Sequence, residues 1–141
     1  MNGLPPLYLM SWELLEVARL QPHEQTLPWR VEEMTEKIQR NGFFHKPLLV
    51  DRKTMTILDG HHRHQASLRL GLKRVPALVF DYQDDERITV EAWPPAPPKS
   101  VNKALVIQMA TNGLLMEPKS SKHCIDVEIP TLRIPLSSLI S

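Results

Sequence analysis

Thirteen prolines stand against only five glycines in this 141-residue chain. Each proline holds φ near one value and removes a backbone donor, so it ends or bends whatever element it enters. The sequence is therefore cut into short elements joined by stiff turns, and long helices are excluded. The length suits one domain with a real core. No apolar run approaches the ~20 residues that a bilayer-spanning helix needs. The opening "MNGLPPLYLMSWE" has no basic region ahead of an apolar stretch, so it does not read as a secretion signal. Cys124 stands alone, which excludes an intramolecular disulfide and suits a reducing, cytoplasmic compartment. The 17 basic and 16 acidic residues nearly cancel, unlike the balance of a dedicated nucleic-acid binder.

Between the prolines the pattern alternates between strand and helix. "ELLEVARL" predicts a strand around Glu16, followed by a loop holding Pro22, His23 and Glu24. "WRVEEMTEKIQRNG" predicts a helix: Val31, Met34 and Ile38 recur at helical spacing, Pro28 stands at its start and Gly42 past its end. "KPLLVD" and "MTILD" read as short strands separated by "RKT". A helix follows, with Ala66, Leu68 and Leu70 expected inward and Gly71 as its cap. "RVPALVF" and "ITVEAW" are further strands, with "DYQDDE" a solvated turn between them. After the stiff "PPAPP" break, "SVNKALVIQMATNG" predicts a helix. Ser100 is its expected N-cap, and Val101, Leu105 and Met109 form its apolar face. "EPKSSKH" reads as a loop, and the proline-broken tail as an edge strand or arm. His23 and His45 read as loop or surface residues, and Met109 and Met116 as core fillers.

The chemistry concentrates in "ILDGHHRHQASLRLG", residues 57–71. A strand that ends at Asp59–Gly60 and turns straight into a helix presents unpaired N–H groups at the positive end of a helix dipole. That is an anion site. Gly60 lets the backbone approach a phosphate, and His62 and Arg63 add donors in the first turn. Asp59 would repel a bare phosphate but suits a Mg²⁺ ion bridging phosphates. These residue types in this order fit nucleotide phosphates better than DNA. Taken singly, Asp59 is equally an N-cap and Arg63 a solvated cation. A second reading pairs His61 with His64 on a transition metal, with Asp59 or His123 completing the set. It lacks a clear third ligand at metal spacing.

The order "LQPHE", "PLLVD", "ILDGHHR", "VPALVFD" and "PKSSKH" resembles the ParB/sulfiredoxin superfamily. Within it the chain is most similar to the free L-serine kinases, which form O-phospho-L-serine using ADP or ATP. The resemblance runs from about Val17 to His123. It implies an α/β fold: a single ParB/sulfiredoxin-like domain with a small mixed sheet packed with helices. The expected layout is an N-terminal arm at 1–12, a nucleotide-binding catalytic domain at 13–125, and a tail at 126–141. Sulfiredoxins carry a catalytic cysteine where this chain has His61, so sulfinic-acid reduction is not implied. ParB partition proteins append a helix-turn-helix domain, for which this chain is too short.

The resemblance also implies roles. Glu24, in the "PHE" loop, would be the base that takes the serine hydroxyl proton. Asp59 would orient Mg²⁺ or the nucleophile, and Gly60, His61, His62 and Arg63 would hold the phosphates. Trp93 would contact the serine. Lys119, Ser120, Ser121, Lys122 and His123 would offer donors to its carboxylate or to the product phosphate. The helix from Val101 to Asn112 is expected to bring that segment back over the cleft. The implied partners are L-serine and ADP or ATP, with no membrane and no nucleic acid. The arm and tail are candidates for a homodimer contact. Two other readings stay open: a ParB-like nucleotide-dependent DNA-binding or nuclease module, and a nucleotide-binding regulator without turnover.

Overall fold

The computed structural model describes residues 11–140. The arm expected at 1–12 falls almost wholly outside them. Eleven regular elements follow in order: β1 (Glu13–Glu16), α1 (Pro28–Asn41), β2 (Phe43–Phe44), β3 (Leu48–Asp51), β4 (Ile57–Asp59), α2 (His61–Arg69), β5 (Arg74–Phe80), β6 (Ile88–Ala92), α3 (Lys103–Thr111), β7 (Ser121–Ile125) and β8 (Ile134–Pro135). This is the mixed α/β architecture that the sequence implies.

The main sheet has the order β1-β5-β3-β4. β5 is antiparallel to β1 and parallel to β3, and β3 is antiparallel to β4. β3 reads LLVD, and all four residues are buried. A strand without polar alternation is one covered on both faces. Leu48 and Val50 join Ile57, Val75 and Ala77 beneath Ile38 of α1 and Ala66 of α2. Leu49, Leu58, Leu78 and Phe80 form the opposite face, against Val106 of α3 and Ile88 of β6. β6 and β7 make a separate antiparallel pair, and β2 pairs with β8. The tail therefore contributes a short edge strand, and its Leu139 is fully buried in the first core.

α1 begins as expected with Pro28 in its first turn and ends at Gly42, which adopts φ 77° and donates its N–H to the Ile38 carbonyl. Several other expectations are corrected. Leu68 is 50 % exposed. Residues two apart on a helix point about 160° apart, so Ala66 and Leu68 cannot both face the sheet. Ser100 does not cap α3. The prolines draw it into a short 3₁₀ turn, where its hydroxyl donates to the Pro97 carbonyl. Asn102 is the cap, accepting from Leu105 N–H at 2.8 Å. Within α3 the buried positions are Val106 and Ala110; Val101 and Leu105 join the second core as expected, and Met109 is half-buried. Tyr82 is not part of a solvated turn: its ring is completely buried in the second core. The segment from Ser121 is strand β7 rather than loop, because β6 supplies five registered partners.

The loop carrying Pro22, His23 and Glu24 is threaded between the two halves of the molecule. Gln21 bridges Thr56, and Glu24 bridges Met116. The Gln25 N–H donates to the Met116 carbonyl and the Met116 N–H to that of His23, each at 2.8 Å. These bonds set Glu24 beside the segment that leads into β7.

Candidate active site

The turn between β4 and α2 depends on one glycine. Gly60 adopts φ +105°, in the left-handed region that glycine favours, and its carbonyl accepts the first helical bond from His64 N–H at 2.9 Å. Among the described residues no side chain caps this helix start, which leaves its first N–H groups to a ligand. Asp59 does not act as the cap. Its carboxylate lies 3.8 Å from Arg63 Nη2. The Arg63 side chain is only 13 % exposed, and its Nε has no partner among the described residues. Burial pulls the Arg63 pKa down, against the opposing pull of Asp59. Arg63 is therefore a largely enclosed cation rather than a solvated one.

His62 faces the start of α1. Its Nε2 accepts from the Leu27 N–H at 3.0 Å, which leaves Nδ1 to carry the proton of a neutral ring. Its pKa is lowered, first by burial and then by the neighbouring cations Arg30, Lys119 and Arg63. His61 is deeper. Its Nε2 accepts from the His23 N–H at 3.2 Å, and burial holds its pKa well below the ordinary value.

Glu24 is clamped by β7. Its Oε1 accepts from the Ser120 N–H (3.0 Å), the Ser121 N–H (2.9 Å) and the Ser121 hydroxyl (3.0 Å). Its Oε2 accepts no hydrogen bond among the described residues. His23, expected at the surface, is completely buried. It sits edge-on to His61 with ring centroids 4.6 Å apart, and its Nδ1–H donates to the Ile57 carbonyl at 2.8 Å. Burial lowers its pKa to about 4. His123 is held from behind by the buried Tyr82, whose hydroxyl is 2.9 Å from its Nε2. Burial lowers His123 to about 3 and raises the Tyr82 phenol, so the phenol donates and the ring accepts.

Glu24, His123 and the residues of the β4–α2 turn line one cleft of about 560 Å³, a volume in the range of small-ligand sites, with His23 and Tyr82 behind its wall. Glu24 enters from the "PHE" loop; Asp59, Gly60, His61, His62 and Arg63 from the β4–α2 turn; Trp93, Lys119, Ser121, Lys122 and His123 from the β6–β7 side. Ser120 contributes its N–H to Glu24 but turns its hydroxyl onto the Glu117 carbonyl. The Trp93 indole donates to the Ser121 carbonyl at 3.2 Å, and Lys122 Nζ lies 5.0 Å over its ring.

Sequence reasoning missed Arg30, Met34, Leu58 and Pro94, which also line the cleft. Arg30 left a signal: it is a cation in the first turn of α1, where the helix dipole disfavours positive charge. With Arg30, four cationic side chains face two carboxylates, so the cleft favours a polyanion. The transition-metal reading finds no support. Among the described residues no group of three or more His, Cys, Asp or Glu side chains could hold a metal, and His61 Nε2 is already an acceptor for His23.

Residues 7–93 match the family model of the ParB N-terminal domain. The chain belongs to this family. Among curated relatives, this ParB-family chain is 35 % identical over 113 residues to a protein named ATP-dependent L-serine kinase from Staphylothermus marinus, covering 77 % of this chain and 44 % of that one. It is 31 % identical over 113 residues to an ADP-dependent L-serine kinase from Thermococcus kodakarensis, covering 77 % of this chain and 46 % of that one. The chain thus spans less than half the length of these relatives. A solved structure described as a free serine kinase in complex with AMP superposes with a TM-score of 0.82 at 16 % identity, covering 98 % of this chain and 97 % of the other. At that identity the likeness establishes a shared fold. Among the described residues no helix is long and apolar enough to cross a membrane.

Proposed function

We propose that this chain is a small-molecule kinase that transfers the terminal phosphoryl group of ADP or ATP to the hydroxyl of free L-serine. One observation carries the reading. A carboxylate with an unengaged oxygen, Glu24, shares a cleft with an uncapped helix start and a largely enclosed arginine. The names of the curated relatives support the same substrates.

The chemistry divides among the residues as follows. The N–H groups at the start of α2 and the Arg63 guanidinium hold the phosphates of the donor, with Arg30 and Lys119 adding charge. Gly60 keeps the approach open. Glu24 accepts the proton of the serine hydroxyl while that oxygen bonds to the terminal phosphorus. The bond from phosphorus to the nucleotide oxygen breaks, and AMP or ADP leaves. Trp93, Ser121, Lys122 and His123 form the opposite wall, where the amino acid is held. Most of the rate effect comes from positioning and charge, as phosphoryl transfer requires. Asp59 suits Mg²⁺: its side chain is more than half exposed and, among the described residues, has no ion partner closer than Arg63, and Mg²⁺ takes one or two carboxylates beside substrate phosphates. Bound there, the ion would neutralise phosphate charge. Serine and nucleotides are both cytoplasmic metabolites, which places the reaction in that compartment.

A phosphorus NMR assay tests the reading. The protein is incubated with Mg²⁺, L-serine and either ADP or ATP, with Glu24→Gln as the control. Phosphoserine that requires serine and vanishes in the variant is expected, and the productive nucleotide identifies the donor. Nucleotide binding without phosphoserine from either donor would overturn the proposal in favour of a regulator.

A further inference from the structure

Among the described residues three histidines line the cleft: His61, His62 and His123. In each, Nε2 faces a hydrogen-bond partner within the protein. For His61 and His62 that partner is a backbone N–H, of His23 and of Leu27. For His123 it is a side chain, the Tyr82 hydroxyl at 2.9 Å. His123 is therefore the one of the three whose proton placement a side chain controls.

Tyr82 is completely buried, and among the described residues its phenol oxygen has no other hydrogen-bond partner. A buried hydroxyl hydrogen without an acceptor is costly. The phenol therefore donates to His123 Nε2 rather than accepting from it. A neutral imidazole carries one proton, so that of His123 sits on Nδ1. Burial keeps the ring neutral by lowering its pKa to about 3, and His23 and Lys103 add to the effect. Nδ1 has no partner among the described residues and is not one of the buried polar atoms left unpaired, so it is reached from the cleft that His123 lines.

We propose that Tyr82 is a positioning residue: it locks His123 into the Nδ1–H tautomer and so presents a neutral donor to the carboxylate of the amino-acid substrate. Tyr82 does not itself line the cleft. Its main chain is held at both ends, since its N–H donates to Asp51 Oδ1 at 3.2 Å and its carbonyl accepts from Lys103 Nζ at 2.8 Å. The phenol thus has a fixed origin from which to aim. An N–H donor suits an oxyanion and excludes the substrate ammonium, and Lys119 and Lys122 on the same wall favour the same charge. The carboxylate assignment rests on the kinase reading, whereas the tautomer lock does not.

Nitrogen NMR of the histidine rings in the full chain, without ligand at neutral pH, tests the lock. His123 should show a protonated Nδ1 and an unprotonated Nε2. Tyr82→Phe keeps the buried ring and removes the donor, so the Nδ1–H form should no longer be the sole one. In steady-state assays Tyr82→Phe should raise the KM for L-serine roughly threefold to tenfold, the worth of one hydrogen bond, and leave the nucleotide KM unchanged. In a His123→Asn background, where an amide N–H stands near the place of Nδ1 without help from the phenol, Tyr82→Phe should raise the serine KM no further. Should Tyr82→Phe not fold, the unsubstituted protein decides: added L-serine should move the Nδ1 resonance of His123 more than that of Nε2. A protonated Nε2 in the unsubstituted protein, an unchanged tautomer in Tyr82→Phe, a rise in the nucleotide KM instead of the serine KM, equal rises in both backgrounds, or an Nδ1 indifferent to serine would each overturn the proposal. Failure of the phosphoserine assay would strike the carboxylate assignment and leave the ligand-free tautomer standing, whereas a missing lock would leave the kinase reading intact.

Discussion

Arg63 folds back over Gly60 so closely that a β-carbon on the glycine would lie 2.9 Å from Arg63 Nη2 and 2.9 Å from Leu48 Cγ. The arginine tip can swing aside, but Leu48 is fixed in the core at zero exposure. The anion site and the core therefore share one atom's width.

Gly60→Ala is accordingly expected to cost about 2 kcal/mol of stability and to weaken nucleotide binding, because strain at φ +105° adds to the clash. Gly113 is the control. It has φ +68° but open space around it, so Gly113→Ala should cost about 1 kcal/mol and leave nucleotide affinity unchanged. Thermal unfolding and nucleotide titration of both variants measure this. Equal losses of affinity would show that the turn at Gly60 has no special part in binding.

Arg63 separates binding from stability. The side chain is largely enclosed, and among the described residues its only ion partner is 3.8 Å away and its Nε is unpartnered. Replacing such a charge by an apolar chain of similar length is often neutral or stabilising. Arg63→Met should therefore keep or raise the melting temperature. It should also weaken nucleotide binding roughly tenfold to a hundredfold, the loss of a charge-assisted contact. A variant with a lower melting temperature and undiminished nucleotide affinity would reverse the assignment.

Acid should unfold the protein through its histidines. Burial lowers the folded pKa of His23 to about 4 and of His123 to about 3, and lowers that of His61 and His64 as well. The unfolded chain takes up protons near pH 6.5, whereas the folded chain resists them. Stability then rises with pH wherever the unfolded state binds more protons. It should be greatest above about pH 6.5, and fall as pH drops towards 4 for His23 and towards 3 for His123. His23 alone would account for a loss on the order of 3 kcal/mol. Urea midpoints at pH 7.5, 6, 5 and 4 should decline in that order, and a flat series would contradict the buried neutral rings.

Local signals were sufficient where one residue decides the geometry. Pro28 and Gly42 bounded α1, and Asp59–Gly60 marked the strand-to-helix turn, because a fixed φ or a positive φ is a property of the residue itself. They were insufficient where a distant partner decides. "SKHCI" carries no strand pattern of its own, and β6 makes it a strand. His23 looks like a loop residue because its burial comes from α2 and β7, 38 and 98 residues further along. Ser100 and Asn102 are both good caps in isolation, and the prolines before Ser100 settled the choice.

The sequence by itself determined the short mixed elements, the glycine turn and the residue types of an anion site, since these follow from backbone sterics and donor chemistry within a few residues. Only the tertiary structure decided that Glu24 is clamped by residues 96 and 97 positions away, that Arg63 is enclosed, and that Arg30 joins the cleft. Burial and hydrogen bonding between remote segments depend on how the sheet and its two cores close, and no local pattern encodes that closure.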